Sequence, residues 1–236
     1  MRVAEGIEQF TDQDLVNWFL VETDEGPIAV DAGFPTAWEQ IRDRAHELRA
    51  ILVTHGHIDH LGFAPRAQRE HGTPVYVPER DVALSRRPLT YARSERLPLL
   101  YLHKAATRRV YWTGIRAGAV FAKTVPEPTP YDEGTELPGG FRAIFTPGHT
   151  KGSTTLHLPD RDVVFVGDAI VTRDPYTDRT GPRIVARAAT WNSGVARDSL
   201  DRIAATGAGT LVCGHGPVFE AGAEEAARLA REAEVA

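Results

Sequence analysis

Changes in the period of apolar residues mark the elements of this chain. Residues 15–22, LVNWFLVE, are rich in strand formers. The DEG at 24–26 predicts a turn into a second strand over 27–34, PIAVDAGF. Trp38, Ile41, Ala45 and Leu48 then recur at helical spacing behind a T-x-x-E capping box at Thr36–Glu39. That pattern predicts an amphipathic helix facing a core. The unbroken apolar run AILVT at 50–54 reads as a buried strand. A short helix near 62–70 and a strand at 74–78, PVYVP, follow.

The pattern changes over 79–124, which is rich in arginine and aromatic residues and mostly helical in propensity. It lies between strand-rich regions and reads as an insertion or cap on a single domain spanning 1–236. A turn-rich stretch with four prolines leads into strands at 141–145 (FRAIF), 154–158 (TTLHL) and 162–168 (DVVFVGD). A long loop over 172–190, a helix near 194–205, a strand at 210–213 and a last helix over 221–234 complete the reading. Each half repeats strands followed by a helix, without a fixed-period repeat.

Polar residues suited to chemistry stand just after these strands. Asp31 follows PIAV; His55, His57, Asp59 and His60 follow AILVT; His149 follows FRAIFTPG; Asp168 follows VVFVG; His215 follows TLVCG. Glycines flank most of them and permit sharp turns and close approach. The polar residues therefore gather at one edge of a sheet system, on loops held by rigid strands. Imidazoles with carboxylates suit zinc, iron or manganese, whereas calcium favours oxygen alone. Five histidines and three aspartates exceed what one tetrahedral ion needs, so the count points to two metals sharing a carboxylate.

Composition narrows the classes. The 236 residues are 42% hydrophobic and 25% charged, with a net charge of −5, as in an ordinary soluble globular protein without the bulk basic footprint of a nucleic-acid binder. Cys213 is the only cysteine, so neither an intrachain disulfide nor a four-cysteine metal site can form; it reads as a small buried packer. No stretch approaches the roughly 18 apolar residues of a membrane span. The first residues lack the apolar core of a secretory signal. A cytoplasmic location is expected, with a small-molecule substrate and neither nucleic acid nor membrane as partner. A homodimer is left open.

H-x-H-x-D-H at 55–60, TPGHTKGS at 146–153, FVGDAI at 165–170, CGHGP at 213–217 and VDAG at 30–33 together resemble the metallo-β-lactamase superfamily of metal-dependent hydrolases, in the family's order. The resemblance implies an α+β fold, a four-layer αβ/βα sandwich with the site at one edge, and leaves the insertion around 79–124 unexplained. It implies that His55, His57 and His149 hold one divalent ion, that Asp59, His60 and His215 hold a second, and that Asp168 bridges them. Zinc is the expected metal, with manganese or iron as alternatives. Asp31 resembles the carboxylate that orients the ligand loop. The implied chemistry is attack on an ester, lactone or thioester by a metal-bridging hydroxide, with Asp59 relaying a proton to the leaving group. Asp59 and Asp168 are thus the expected catalytic carboxylates.

Departures from the family pattern select among its activities. True β-lactamases of this fold usually carry cysteine or serine where Asp168 stands. The 21 residues after His215 leave no room for the helical glutathione-binding domain of glyoxalase II enzymes. A persulfide dioxygenase with one iron is the rival enzyme, and a non-catalytic metal-binding protein the rival outside catalysis. Tyr176 and His103 are candidates for the substrate pocket wall. Tyr91, Tyr101, Tyr111 and Trp112 suit either a pocket lining or packing of the insertion. Arg93, Arg96, Arg108, Arg109 and Arg116 read as a solvated helix face, with contact to an acidic substrate as the alternative.

Overall fold

The computed structural model describes residues 1–87 and 101–235. The first half contains β1 (Arg2–Ala4), β2 (Ile7–Asp12), β3 (Val16–Val21), β4 (Ile28–Val30), α1 (Trp38–Ile41), β5 (Ala50–Leu52), α2 (Ile58–Leu61), α3 (Ala64–His71) and β6 (Val75–Pro78). Then come α4 (Val82–Ser85), α5 (Ala105–Arg116) and β7 (Pro128–Tyr131). The second half contains β8 (Arg142–Phe145), β9 (Thr154–Leu158), β10 (Val163–Phe165), β11 (Val171–Arg173), β12 (Thr180–Arg183), α6 (Ser193–Ala204), β13 (Thr210–Val212) and α7 (Ala223–Glu232).

Among the described residues, β1 to β7 form one sheet in chain order, and a second sheet has the order β13-β10-β9-β8. Pairing is antiparallel from β1 to β4 and parallel from β4 to β7. Side chains alternate across a strand, and that alternation builds the layers. From β3, Phe19 and Val21 face the second sheet and meet Leu156 and Phe165 there, while Trp18 and Leu20 face outward onto Trp38, Ile41 and Ala64. From β10, Val163 and Phe165 face inward, while Val164 packs outward with Leu200 of α6 and Ala226 of α7. The result is helix, sheet, sheet, helix: the four-layer α+β sandwich expected. β4 and β5 are buried on both faces, which explains their unbroken apolar sequences.

Several local expectations are corrected. Trp38, Ile41, Ala45 and Leu48 do share one core cluster, but the chain reaches it through α1 and two flanking 3₁₀ turns instead of one helix. Thr36 does not cap α1; its hydroxyl donates to the buried Asp12 carboxylate at 3.0 Å. The strand expected over 27–34 ends at Val30, because Asp31 turns to φ +59°. The stretch 172–190 is not one loop, since β11 and β12 pair within it as a hairpin. β1, β2 and β7 have no counterpart in the apolar pattern of the sequence. β7, PTPY, pairs only with β6 at the sheet's edge, where prolines cost no ladder bond on the open side.

The described part of the 79–124 insertion is helical, in α4, α5 and 3₁₀ turns at Glu79–Asp81 and Ala119–Phe121. Tyr91, Arg93 and Arg96 lie outside the described residues. No described helix is long and apolar enough to cross a membrane.

Gly62 couples the turn that carries His57, Asp59 and His60 to the first sheet. Its N–H donates to the Gly33 carbonyl at 2.8 Å, and a Cβ there would lie 2.2 Å from the Phe34 carbonyl carbon and oxygen. Backbone cannot yield as a side chain can. Gly62→Ala should therefore lower unfolding free energy by about 3 kcal/mol, read from urea denaturation midpoints. A loss below about 0.5 kcal/mol would contradict this packing.

Candidate metal centre

The seven sequence-predicted ligands come together at the ends of β5, β8, β10 and β13. His55, His57, Asp59 and His60 ride on the loop after β5 and on α2; His149, Asp168 and His215 stand on loops after β8, β10 and β13. Their ligand atoms form three groups within 4.8 Å: His55, His57 and His149; His55, His60 and Asp168; and Asp59, His60 and His215. His57 Nδ1 and His149 Nε2 are 2.9 Å apart. Asp168 lies between the groups. Its Oδ2 is 3.4 Å from His149 Nε2 and 3.3 Å from His215 Nε2, and its Oδ1 is 3.6 Å from His60 Nε2. Asp59 Oδ2 lies 3.5 Å from His215 Nε2 and 4.0 Å from His60 Nε2.

Partners behind the imidazoles aim them. His215 Nδ1 lies 2.7 Å from the Leu15 carbonyl. A carbonyl only accepts, so Nδ1 carries the proton and Nε2 is turned to the carboxylates. His60 Nδ1 lies 2.9 Å from Asp31 Oδ2. Asp31 in turn accepts from the Thr54 N–H at 2.8 Å and the Thr54 hydroxyl. A carboxylate behind an imidazole fixes ring orientation and raises ligand basicity. His55 Nδ1 sits 3.1 Å from the Thr54 hydroxyl.

Asp81 was missed by sequence reasoning. It is buried, and it accepts from the Gly56 N–H at 2.9 Å, the Gly152 N–H at 2.9 Å and the Thr150 hydroxyl at 2.6 Å. One carboxylate from the 79–124 segment thus ties the loop of His55 and His57 to the loop of His149. Burial pushes its pKa up, against those hydrogen bonds. Asn17 plays the matching part for His215. Its Nδ2 donates to the Cys213 and Gly216 carbonyls at 3.0 and 2.7 Å. Only their burial distinguishes these two from other polar residues, and burial is not written in a single sequence.

The electrostatics fit cations. Burial opposes ionisation of Asp168, yet the imidazoles of His215, His60 and His149 hold it well below the usual carboxylate range. Burial also opposes a charge on His60, but Asp31, Asp168 and Asp59 push it up to about 9. His215 is likewise raised against its burial, by Asp168 and Asp59. Against its own burial, Asp59 is lowered to about 2 by His60 and His215. Protons on His60 and His215 thus balance the carboxylates, and divalent ions would supply that positive charge instead. The donor atoms also fit: His55 Nε2, His60 Nε2 and Asp168 Oδ1 are buried without a hydrogen-bond partner. Such orphaned atoms are costly unless a ligand takes them.

His103 and Tyr176 lie differently. His103 is exposed in the turn before α5, with its ring 6.3 Å from that of Tyr101. Tyr176 packs partly buried against Val171, Val185 and Ala189, and its carbonyl accepts from the Thr107 hydroxyl at 2.9 Å. Its neighbour Pro175 lines a cavity that reaches His215. Cys213 is buried, as expected of a packer.

Known proteins share this architecture. A family model described as the metallo-beta-lactamase superfamily matches residues 11–215. The "Probable metallo-hydrolase YflN" of Bacillus subtilis (strain 168) is 25% identical over 179 residues, 72% of this chain and 66% of that protein. The "Probable polyketide biosynthesis zinc-dependent hydrolase BaeB" of Bacillus velezensis is 28% identical over 153 residues, 61% of this chain and 50% of that protein. The chain thus spans between about half and two thirds of the length of these curated relatives. Among solved structures, the metallo-beta-lactamase family protein TTHA1429 from Thermus thermophilus superposes with a TM-score of 0.67 at 23% identity, over 95% of this chain and 77% of that one. TTHA1623 in a di-iron-bound form superposes with a TM-score of 0.63 at 23% identity, over 99% of this chain and 100% of that one. At such identity these two likenesses establish the fold.

Gly214 offers a test that leaves every donor in place. A Cβ there would lie 2.2 Å from Asp168 Oδ1 and 2.6 Å from His60 Cε1. Gly214→Ala should weaken zinc binding by about tenfold to a hundredfold in a competitive chelator titration, with the far-ultraviolet circular dichroism unchanged. Wild-type affinity in that variant would remove Asp168 and His60 from the metal site.

Proposed function

The chain belongs to the metallo-beta-lactamase superfamily, and from that premise we propose that it hydrolyses small acyl compounds, an ester, lactone or thioester, with two divalent ions. His55, His57 and His149 would hold one ion, Asp59, His60 and His215 the other, and Asp168 both. The observation that carries this reading is the Asp168 carboxylate, which presents one oxygen to His149 and His215 and the other to His60. Zinc suits this nitrogen-and-carboxylate set, and manganese or iron suit it too.

When bound, such ions make water a nucleophile near neutral pH and polarise an acyl oxygen. The remaining work falls to the chain. Asp31 and the Leu15 carbonyl keep the Nδ1 protons of His60 and His215 away from the site, so that both Nε2 atoms donate lone pairs. Asp59 is 21% exposed, whereas Asp168 is 5% exposed. The ionised Asp59 carboxylate can therefore take up a proton beside incoming substrate and pass it to the leaving oxygen or sulfur. Neither serine nor cysteine is needed as nucleophile, and Cys213 is buried.

A panel of a γ-lactone, a p-nitrophenyl ester and an acyl thioester tests this on metal-loaded protein. At least one class should turn over, stop with a chelator and resume on adding metal. Asp168→Ala should lose bound metal and at least about a hundredfold in kcat. Inertness of the metal-loaded wild type toward the whole panel would overturn the proposal, as would oxygen uptake with a persulfide in place of hydrolysis. Unchanged metal content and turnover in Asp168→Ala would overturn the site assignment.

A further inference from the structure

A cavity of about 290 Å³ opens beside His215, between the β2–β3 turn, α5 and the end of β11. Its lining residues include two arginines, Arg109 of α5 and Arg173 of β11, one aspartate, Asp14, and Met1 with its ammonium. We infer that Arg109 and Arg173 form a carboxylate-binding subsite beside the candidate metal centre, so that the acyl substrates of this chain carry a free carboxylate. That such compounds are substrates rests on the hydrolase reading; the subsite itself does not.

The neutral polar groups of the wall are spent on one another. Gln9 Nε2 and the Thr11 hydroxyl donate to Asn17 Oδ1 at 3.0 and 2.8 Å, and the Asn17 amide is committed to the Cys213 and Gly216 carbonyls. The arginines are only partly spent. Arg173 donates through Nε to Asp178 at 2.5 Å, which leaves both Nη atoms without an acceptor among the described residues. Arg109 makes no hydrogen bond among the described residues; its nearest carboxylate oxygen, also of Asp178, is 3.6 Å away. Asp178 stands outside the wall, and by engaging both guanidiniums it holds them together. The Arg109 and Arg173 guanidiniums and the Met1 ammonium, which donates to the Gln9 carbonyl at 2.7 Å, stand against Asp14 in the wall and Asp178 beside it, and one positive charge is left in excess, which matches a single carboxylate. Planar guanidinium forks suit that group's two oxygens.

The position links specificity to reaction. His215 is both a wall residue and a member of the group with Asp59 and His60. A compound anchored by its carboxylate at Arg109 and Arg173 would thus reach His215, the wall residue that the cavity shares with that group. Arg109 is one of the five insertion arginines read from sequence as a solvated helix face, with contact to an acidic substrate as the alternative; at this position the cavity favours the alternative.

The test is calorimetric titration of the metal-loaded protein with glutarate and with dimethyl glutarate. Glutarate should bind and its dimethyl ester should not. In the Arg109→Gln/Arg173→Gln double variant glutarate affinity should fall by about tenfold to a hundredfold. Arg109→Gln alone, at an exposed helix position, should shift it in the same direction. In hydrolysis, the ratio of kcat/KM for monomethyl glutarate to that for dimethyl glutarate should fall in the double variant. Absent glutarate binding, or equal affinity in wild type and double variant as expected of a carboxylate held by metal alone, would overturn the subsite. If glutarate affinity falls as expected while no ester, lactone or thioester is hydrolysed, the subsite stands and the hydrolase reading fails.

Discussion

The Asp168 carboxylate, buried among His60, His149 and His215, is the interaction on which the other features turn. An isolated buried charge costs several kcal/mol or more unless it is paired. This one is paired with His149 and His215 from its own half and with His60 from the other, so its pairing is complete only when both halves of the sandwich are closed. The fold and the site therefore constrain each other. The sheets stack through Phe19, Leu156 and Phe165, and that stacking sets the ends of β5, β8, β10 and β13 side by side.

Cross-ties then hold the loops in place. Asp31 and Thr54 fix His60 from behind, Asp81 joins the loops of His55, His57 and His149, and Asn17 ties the β3 strand to the loop of His215. Each tie uses a buried side chain with its hydrogen bonds made. Gly62 and Gly214 complete the arrangement by admitting neighbours where any side chain would collide. Metal sites need such support, since donors displaced by an ångström bind weakly or select the wrong ion.

Much of this was legible in the sequence, for identifiable reasons. β4 and β5 are buried on both faces and so read as unbroken apolar runs, and the histidine and aspartate motifs directly follow strands. The layer order followed from the family resemblance, and the grouping of His55, His57, His149, Asp59, His60, Asp168 and His215 matches the order of its motifs. What was not legible depends on tertiary contact. Thr36 looked like a helix cap until Asp12, 24 residues away, claimed its hydroxyl. β2 carries polar residues, and β7 carries two prolines that only an edge strand tolerates. Asp81 and Arg109 look like surface charges in an arginine-rich stretch, because neither burial nor a cavity wall is a local property.

The central claim is that this constellation holds two ions through one shared carboxylate. Elemental analysis of freshly purified protein tests it most directly, with metal counted per chain before and after dialysis against a mild chelator. The account predicts about two divalent ions per chain, zinc foremost, released and rebound together because Asp168 joins them. A chain that saturates with a single ion, or that binds none, would contradict it.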